Sequence, residues 1–87
     1  MEYVETNQSK TLKALNRYGE EADIRTIAEL INKDKKKTQY CLWRLFKKKL
    51  VKRRIEYIKK NRKTFPVAYY RINEENIKQV KFWLKNY

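Results

Sequence analysis

Asp34-Lys35-Lys36-Lys37-Thr38-Gln39-Tyr40-Cys41-Leu42-Trp43-Arg44-Leu45-Phe46-Lys47-Lys48 is the stretch on which the fold turns. Asp34 predicts an N-cap, because a carboxylate ahead of a helix accepts backbone N–H groups that the first turn leaves without partners. Thr38, Cys41, Leu42 and Leu45 then recur at i, i+3, i+4 and i+7, the spacing of one buried stripe on a helix running to about Lys48. Opposite that stripe stand Lys36, Gln39, Tyr40, Trp43, Arg44 and Lys47. An amide and two large aromatics interleaved with cations make an unusual solvent face and a candidate recognition surface. Trp43 has a second reading, since a tryptophan is more often folded against the edge of a core.

Working upstream, Ile24, Ile27, Ala28, Leu30 and Ile31 mark a short helix that stops around Asn32-Lys33. Before it comes the acidic stretch Glu20-Glu21-Ala22-Asp23, and before that a first helix with Leu12, Leu15 and Tyr18 on its apolar side. Asn7 or Ser9 is expected to cap that first helix, and Gly19 to end it. Downstream, the pattern changes to period two from Leu50 to about Lys60, with Val51, Arg53, Ile55 and Tyr57 on one side and Lys52, Arg54, Glu56 and Ile58 on the other. A polar tip, Lys59 to Thr64, separates this strand from Phe65-Pro66-Val67-Ala68-Tyr69-Tyr70-Arg71-Ile72, so the pair predicts an antiparallel hairpin. Asn73 is placed to cap a last helix with Glu74 and Glu75 in its first turn and Ile77, Val80, Trp83, Leu84 and Tyr87 as its stripe, Phe82 lying off it. With no repeat and no linker-like stretch, the 87 residues are expected to form one α+β, mainly helical domain.

The charge is segregated. Between Lys33 and Lys63 fifteen of the 23 Lys and Arg residues face only Asp34 and Glu56, while the other eight cations are balanced by the other eight acids. One contiguous third of the chain therefore carries the whole net charge of +13, which predicts a polyanionic partner. Catalysis is not expected: histidine is absent, the acids are scattered, and Gly19 is the one glycine, so neither an acid/base pair nor a phosphate-cradling loop is present. Cys41 falls on a buried stripe, where a thiol packs as a small apolar group. One cysteine without histidine excludes a disulfide within the chain and a zinc site of the usual kind. No metal or cofactor is expected, and no small-molecule ligand is inferred. The absence of a membrane-length apolar run or a secretory leader pattern favours the cytoplasm, with the protein associated with a nucleoid.

The residues from Ile24 to Arg54 resemble the winged helix-turn-helix DNA-binding family. Ile27-Ala28-Glu29-Leu30-Ile31-Asn32-Lys33-Asp34 is similar to its second helix and turn, with small Ala28 where helices pack closely. Lys35 to Leu45 is similar to its recognition helix, and Lys49-Leu50-Val51-Lys52-Arg53 to its passage into the wing. Lys49 stands where the family commonly has glycine, as does Asn32. The resemblance implies three helices, a two-stranded hairpin wing and a C-terminal helix, with the helix-turn-helix at about 24–48, the wing at about 50–72 and the last helix at about 74–86. Composition and layout suit a small transcriptional regulator of the archaeal or viral type, which for a virus means the host-cell cytoplasm.

Function follows as expectation: sequence-specific binding of double-stranded DNA, with the recognition helix in the major groove. Gln39, Tyr40, Trp43 and Arg44 are the candidates for base contact. Lys36, Lys37, Lys47, Lys52, Arg54, Lys60 and Lys63 are the candidates for phosphates, and Arg62 at the wing tip for the minor groove. Phe82, with Trp83 and Tyr87, is a candidate dimer surface, since an exposed aromatic often marks a partner. Two alternatives stand beside this reading. One is a chromatin-like coat protein or RNA binder without sequence readout, and the other a winged-helix module for protein partners. A membrane-surface role lacks the broad apolar helix face it needs.

Overall fold

The structure, a computed structural model, describes residues 6–86. Its elements are α1 (Asn7–Tyr18), β1 (Ala22–Asp23), α2 (Ile24–Ile31), α3 (Lys35–Lys47), β2 (Val51–Lys60), β3 (Lys63–Ile72), a 3₁₀ turn (Glu74–Asn76) and α4 (Ile77–Asn86). The helices end where the local chemistry dictates. Asp34 caps α3, its Oδ1 accepting from the Lys37 amide at 2.7 Å, and Asp23 caps α2 in the same way through Thr26 at 2.8 Å. Gly19 closes α1 at φ 76°.

Asn32 and Lys49 take up a left-handed backbone, the conformation glycine adopts most readily, at φ 54° and 61°. Each sits in a turn of the same kind. After α2 the Lys33 amide donates to the Ala28 carbonyl and the Asn32 amide to Glu29. After α3 the Leu50 amide donates to Leu45 and the Lys49 amide to Phe46. These paired backbone bonds satisfy the last carbonyls of both helices. Behind α3 the turn is also clamped from the C-terminal side, because Asn73 and Asn76 both donate from Nδ2 to the Lys49 carbonyl, at 2.8 and 3.0 Å.

Three expectations are corrected. The cap of α1 is Thr6, whose Oγ1 accepts from the Ser9 amide at 3.1 Å, and Ser9 itself is buried one turn inside the helix. The polar tip of the hairpin is shorter than expected. Lys60 pairs with Lys63, so Lys59, Lys60, Lys63 and Thr64 belong to the strands, and only Asn61 and Arg62 turn, both at positive φ as a two-residue hairpin turn requires. Glu74 and Glu75, expected in the first turn of an α-helix, lie in the 3₁₀ turn, which Asn73 caps through the Glu75 amide.

The sheet has the order β1-β3-β2, all antiparallel. β1 contributes two residues, Ala22 and Asp23, opposite Tyr70 and Tyr69. The core is formed by Leu12 and Leu15 of α1, Ile27 of α2, Leu42 and Leu45 of α3, Leu50, Val51 and Tyr70 of the hairpin base, and Val80 of α4. It ends there. Beyond the Arg53–Tyr70 pair no wing side chain is buried, and seven further levels of hairpin project from the body. That projection accounts for the long axis of the molecule, 53 Å against 27 and 20 Å.

Candidate nucleic-acid interface

The buried stripe of α3 is the expected one: Thr38, Cys41, Leu42 and Leu45 are all buried. The opposite face is turned to solvent for the whole length of the helix, with Lys36, Lys37, Gln39, Tyr40, Trp43, Arg44 and Lys47 exposed. Trp43 is 45% exposed, so of its two readings the solvent face is the one taken, and Lys47 lies over its ring at 5.1 Å from the centroid. At 100° per residue, Gln39 and Arg44 stand about 140° apart around the helix, with Lys36, Tyr40, Trp43 and Lys47 between them. Gln39 is on the wing side. Arg44 is on the side of Lys48, which is itself turned away, donating to Gln8 at 2.7 Å and covering the Trp83 ring at 4.4 Å. Partial burial there lowers the Lys48 pKa, with the neighbouring Arg44 charge as the smaller cause.

Directly opposed residues on β2 and β3 share a face, and successive ones alternate. Val51, Arg53, Ile55, Tyr57 and Lys59 therefore share one face with Ile72, Tyr70, Ala68, Pro66 and Thr64. This is the face on which α3 sits. An open hollow of about 270 Å³ lies between them, lined by Lys36, Gln39, Tyr40 and Trp43 from the helix and Arg53 and Tyr70 from the wing. Arg53 also lies over the Phe46 ring at 5.5 Å. The inner wing face and the exposed face of α3 thus form one concave surface, and Arg53, absent from the sequence-based candidates, is in its middle. Its parity with buried Val51 was the available signal.

Lys52 and Arg54 point to the other side of the hairpin. Lys52 Nζ pairs with Glu75 at 2.6 Å. Arg54 pairs with Glu21 at 2.6 Å and Glu56 at 3.1 Å, and stacks over Tyr69 at 4.8 Å. Hydrogen bonds from the two cations hold the Glu75 and Glu21 carboxyls below their ordinary range, and bonds to Glu21 and Glu56 raise Arg54 in return. These two phosphate candidates are occupied in tying the wing base to the body. Lys60, Arg62 and Lys63 are exposed together at the wing tip.

On α4, Phe82 is 51% exposed and lines a shallow hollow of about 290 Å³ with Lys78 and Gln79. Trp83 is half-buried against the core under Lys48. Tyr87, the third dimer candidate, lies outside the described residues. Cys41 is buried, and burial raises its thiol pKa, which disfavours the thiolate. Among the described residues no cluster of acids, histidines or cysteines could hold a metal ion, and no helix is long and apolar enough to cross a membrane.

Helix-turn-helix, two-stranded wing on a third short strand, and a closing helix together define a winged helix fold. Among solved structures the chain is similar to the PcaV transcriptional regulator from Streptomyces coelicolor, crystallised in complex with its natural ligand. The TM-score is 0.63 at 19% sequence identity, over 94% of this chain and 55% of the regulator. The likeness is therefore one of fold, and the chain spans about half of the regulator's length. No protein-family model and no curated protein matches the sequence.

Proposed function

We propose that this chain is a double-stranded DNA-binding regulator of transcription, a binding protein and not a catalyst, with α3 in the major groove and the wing on the adjacent minor groove and backbone. One observation carries this reading: the solvent face of α3 and the inner face of the wing are a single concave surface inside the segment that holds the whole net charge. A duplex is the polyanion with the matching convex shape. Gln39, Tyr40 and Trp43, with Arg44 on the flank, offer the directional groups that base edges require. Lys36, Lys37, Lys47, Arg53, Lys60 and Lys63 supply cations to phosphates on either side, and Arg62 leads the wing tip.

With five or six such contacts, log affinity plotted against log salt should have a slope of roughly −4 to −6 per protein. A slope near zero sinks the reading. The same proposal includes pairing of two copies through the α4 face around Phe82, which would set two α3 helices one turn of DNA apart, about 34–36 Å, on a near-palindromic site. Sedimentation as a monomer, with a single half-site in DNA selected from a random pool, contradicts that pairing.

The exposure of Tyr40 at 58%, Trp43 at 45% and Tyr57 at 70% supports a second reading, a nucleic-acid binder that stacks on bases without reading sequence. Competition against unrelated duplex separates the two. A specific regulator keeps a preference of about 10³ or more, whereas a coating protein keeps almost none.

A further inference from the structure

Distance along the wing decides which of its residues meets the minor groove. Arg53 faces α3 across the shared hollow, so its level along the wing is the level of α3, which fills the centre of the major groove. The centre of the neighbouring minor groove lies half a turn of duplex away, about 17–18 Å. At a strand rise of about 3.3 Å per residue, Tyr57 stands about 13 Å from Arg53, Lys59 about 20 Å, and the Lys60–Lys63 pair that closes the turn holding Arg62 about 23 Å. The half-turn falls between Tyr57 and Lys59 on the inner face, and the tip overshoots it.

The side chains at that level are not those of an ordinary solvent-facing hairpin. Tyr57 is 70% exposed, the highest value of any large hydrophobic side chain described, and exposed Pro66 is directly opposite it. Ile55 follows on the same face at 42% exposure, and Lys59 flanks the pair toward the tip. Of these two levels only Ala68, opposite Ile55, packs against the core. An apolar pair bracketed by cations on a projecting ribbon has the composition of a minor-groove wedge, which partly unstacks a base step and kinks the duplex.

Resting on the DNA-binding reading above, we infer that the Tyr57–Pro66 pair is a DNA-bending wedge that enters the minor groove half a turn from α3. Lys59 holds the adjacent backbone, and Arg62, beyond the groove, reaches the phosphates of the far side. The wing is then an instrument of DNA shape, and the protein should favour sites with a flexible pyrimidine–purine step at that position.

The test uses the full chain and duplexes about three turns long. One set carries fluorophores at both ends to report bending by energy transfer, and another carries 2-aminopurine half a turn from the α3 footprint to report unstacking. Wild-type protein should raise both signals. Tyr57→Ala should remove at least half of each while affinity falls no more than about threefold. Tyr57→Phe should restore both, and Arg62→Ala should weaken binding and leave the bend of bound DNA unchanged. Tyr57 has no core contact to lose, so its variants keep the fold, which circular dichroism checks. Tight binding without bending or unstacking overturns the wedge and leaves the DNA-binding reading intact, as does a Tyr57→Ala protein that bends like wild type; the exposed pair would then belong to a protein partner. Failure to bind any duplex overturns both.

Discussion

The helical body and the distal wing are made from the same residue types and treat them in opposite ways. In the body, α3 hides Leu42 and Leu45 and shows Lys36 and Lys47. Two to seven levels beyond the Arg53–Tyr70 pair, Ile55, Tyr57, Ile58 and Phe65 stay open to solvent beside Lys59, Lys60 and Lys63. Packing stabilises the first region, while the second is held by its backbone ladder, its turn and two ion-pair anchors at its base. Side chains of the body should therefore govern stability and those of the wing should govern what the protein does to its partner.

The strongest way to break that contrast is to cut both regions back equally. Leu42→Ala, at a fully buried position, should cost about 2–5 kcal/mol of stability in denaturant unfolding, whereas Ile55→Ala should change it little. A wing substitution as costly as the core one would show that the hairpin has a core of its own.

Within the interface the contrast is between groups that read and groups that attract. Gln39→Ala should weaken a preferred site by about 1–3 kcal/mol and leave random duplex nearly unaffected. Lys60→Ala and Lys63→Ala should weaken both DNAs alike and flatten the salt slope by about one unit per lost contact. Equal losses on both DNAs from Gln39→Ala would reduce α3 to another cationic surface.

Smaller still is the effect expected at the joint between body and wing. Lys49 holds φ 61° with no glycine to ease it, and nearby backbone bonds keep it there. Lys49→Gly should raise stability by about 0.5–1 kcal/mol, the relief of the left-handed backbone outweighing the added freedom of the unfolded chain. A loss of stability on that change would mean that the Lys49 side chain does more than tolerate the turn.

The weakest expected effect is acid loosening of the wing base. Glu21 and Glu75 have lowered pKa values, so their contribution is complete above the ordinary carboxylate pKa of about 4.3 and is lost only as pH falls through the lower folded values. Both pairs are exposed, so the effect on global stability should be slight. The Arg54 Nε–H resonance should hold its position down to about pH 4 and move below it. Movement centred at the ordinary carboxylate value would show that the pair does not persist in solution.

These contrasts were legible in unequal measure. Asp34, the stripe of α3 and Gly19 predicted their elements because capping and helical periodicity are local, and the period-two run from Val51 predicted β2 for the same reason. β1 was not legible: two residues paired through their backbones leave no pattern in side chains. The roles of Arg53 and Arg54 were legible only in half. Alternation separates their faces, but nothing near Arg54 in sequence except Glu56 shows that Glu21, 33 positions earlier, will be brought beside it. Net charge counts cations without counting their neighbours, which is why Lys48, Lys52 and Arg54 entered a basic segment whose surface they largely leave. The cap of α1 went to Thr6 because Ser9 falls on the buried side of the helix, where Leu12 and Leu15 also lie.

Pro66 has a second consequence, for solubility. Beyond Tyr69 the outer edge of β3 has no neighbouring strand among the described residues, and such an edge is a template on which other chains add as strands. Counting the ladder alternation from the closing Lys60–Lys63 pair, position 66 directs its backbone nitrogen outward. Proline removes the donor there, in the middle of the run Phe65 to Ala68, which would otherwise be the most adhesive segment of the molecule. The other edge, β2, is guarded by Lys52, Arg53, Arg54, Lys59 and Lys60. A hairpin that displays this much apolar surface thus remains a poor seed for sheet growth, and the exposed side chains stay available to a partner other than a second sheet.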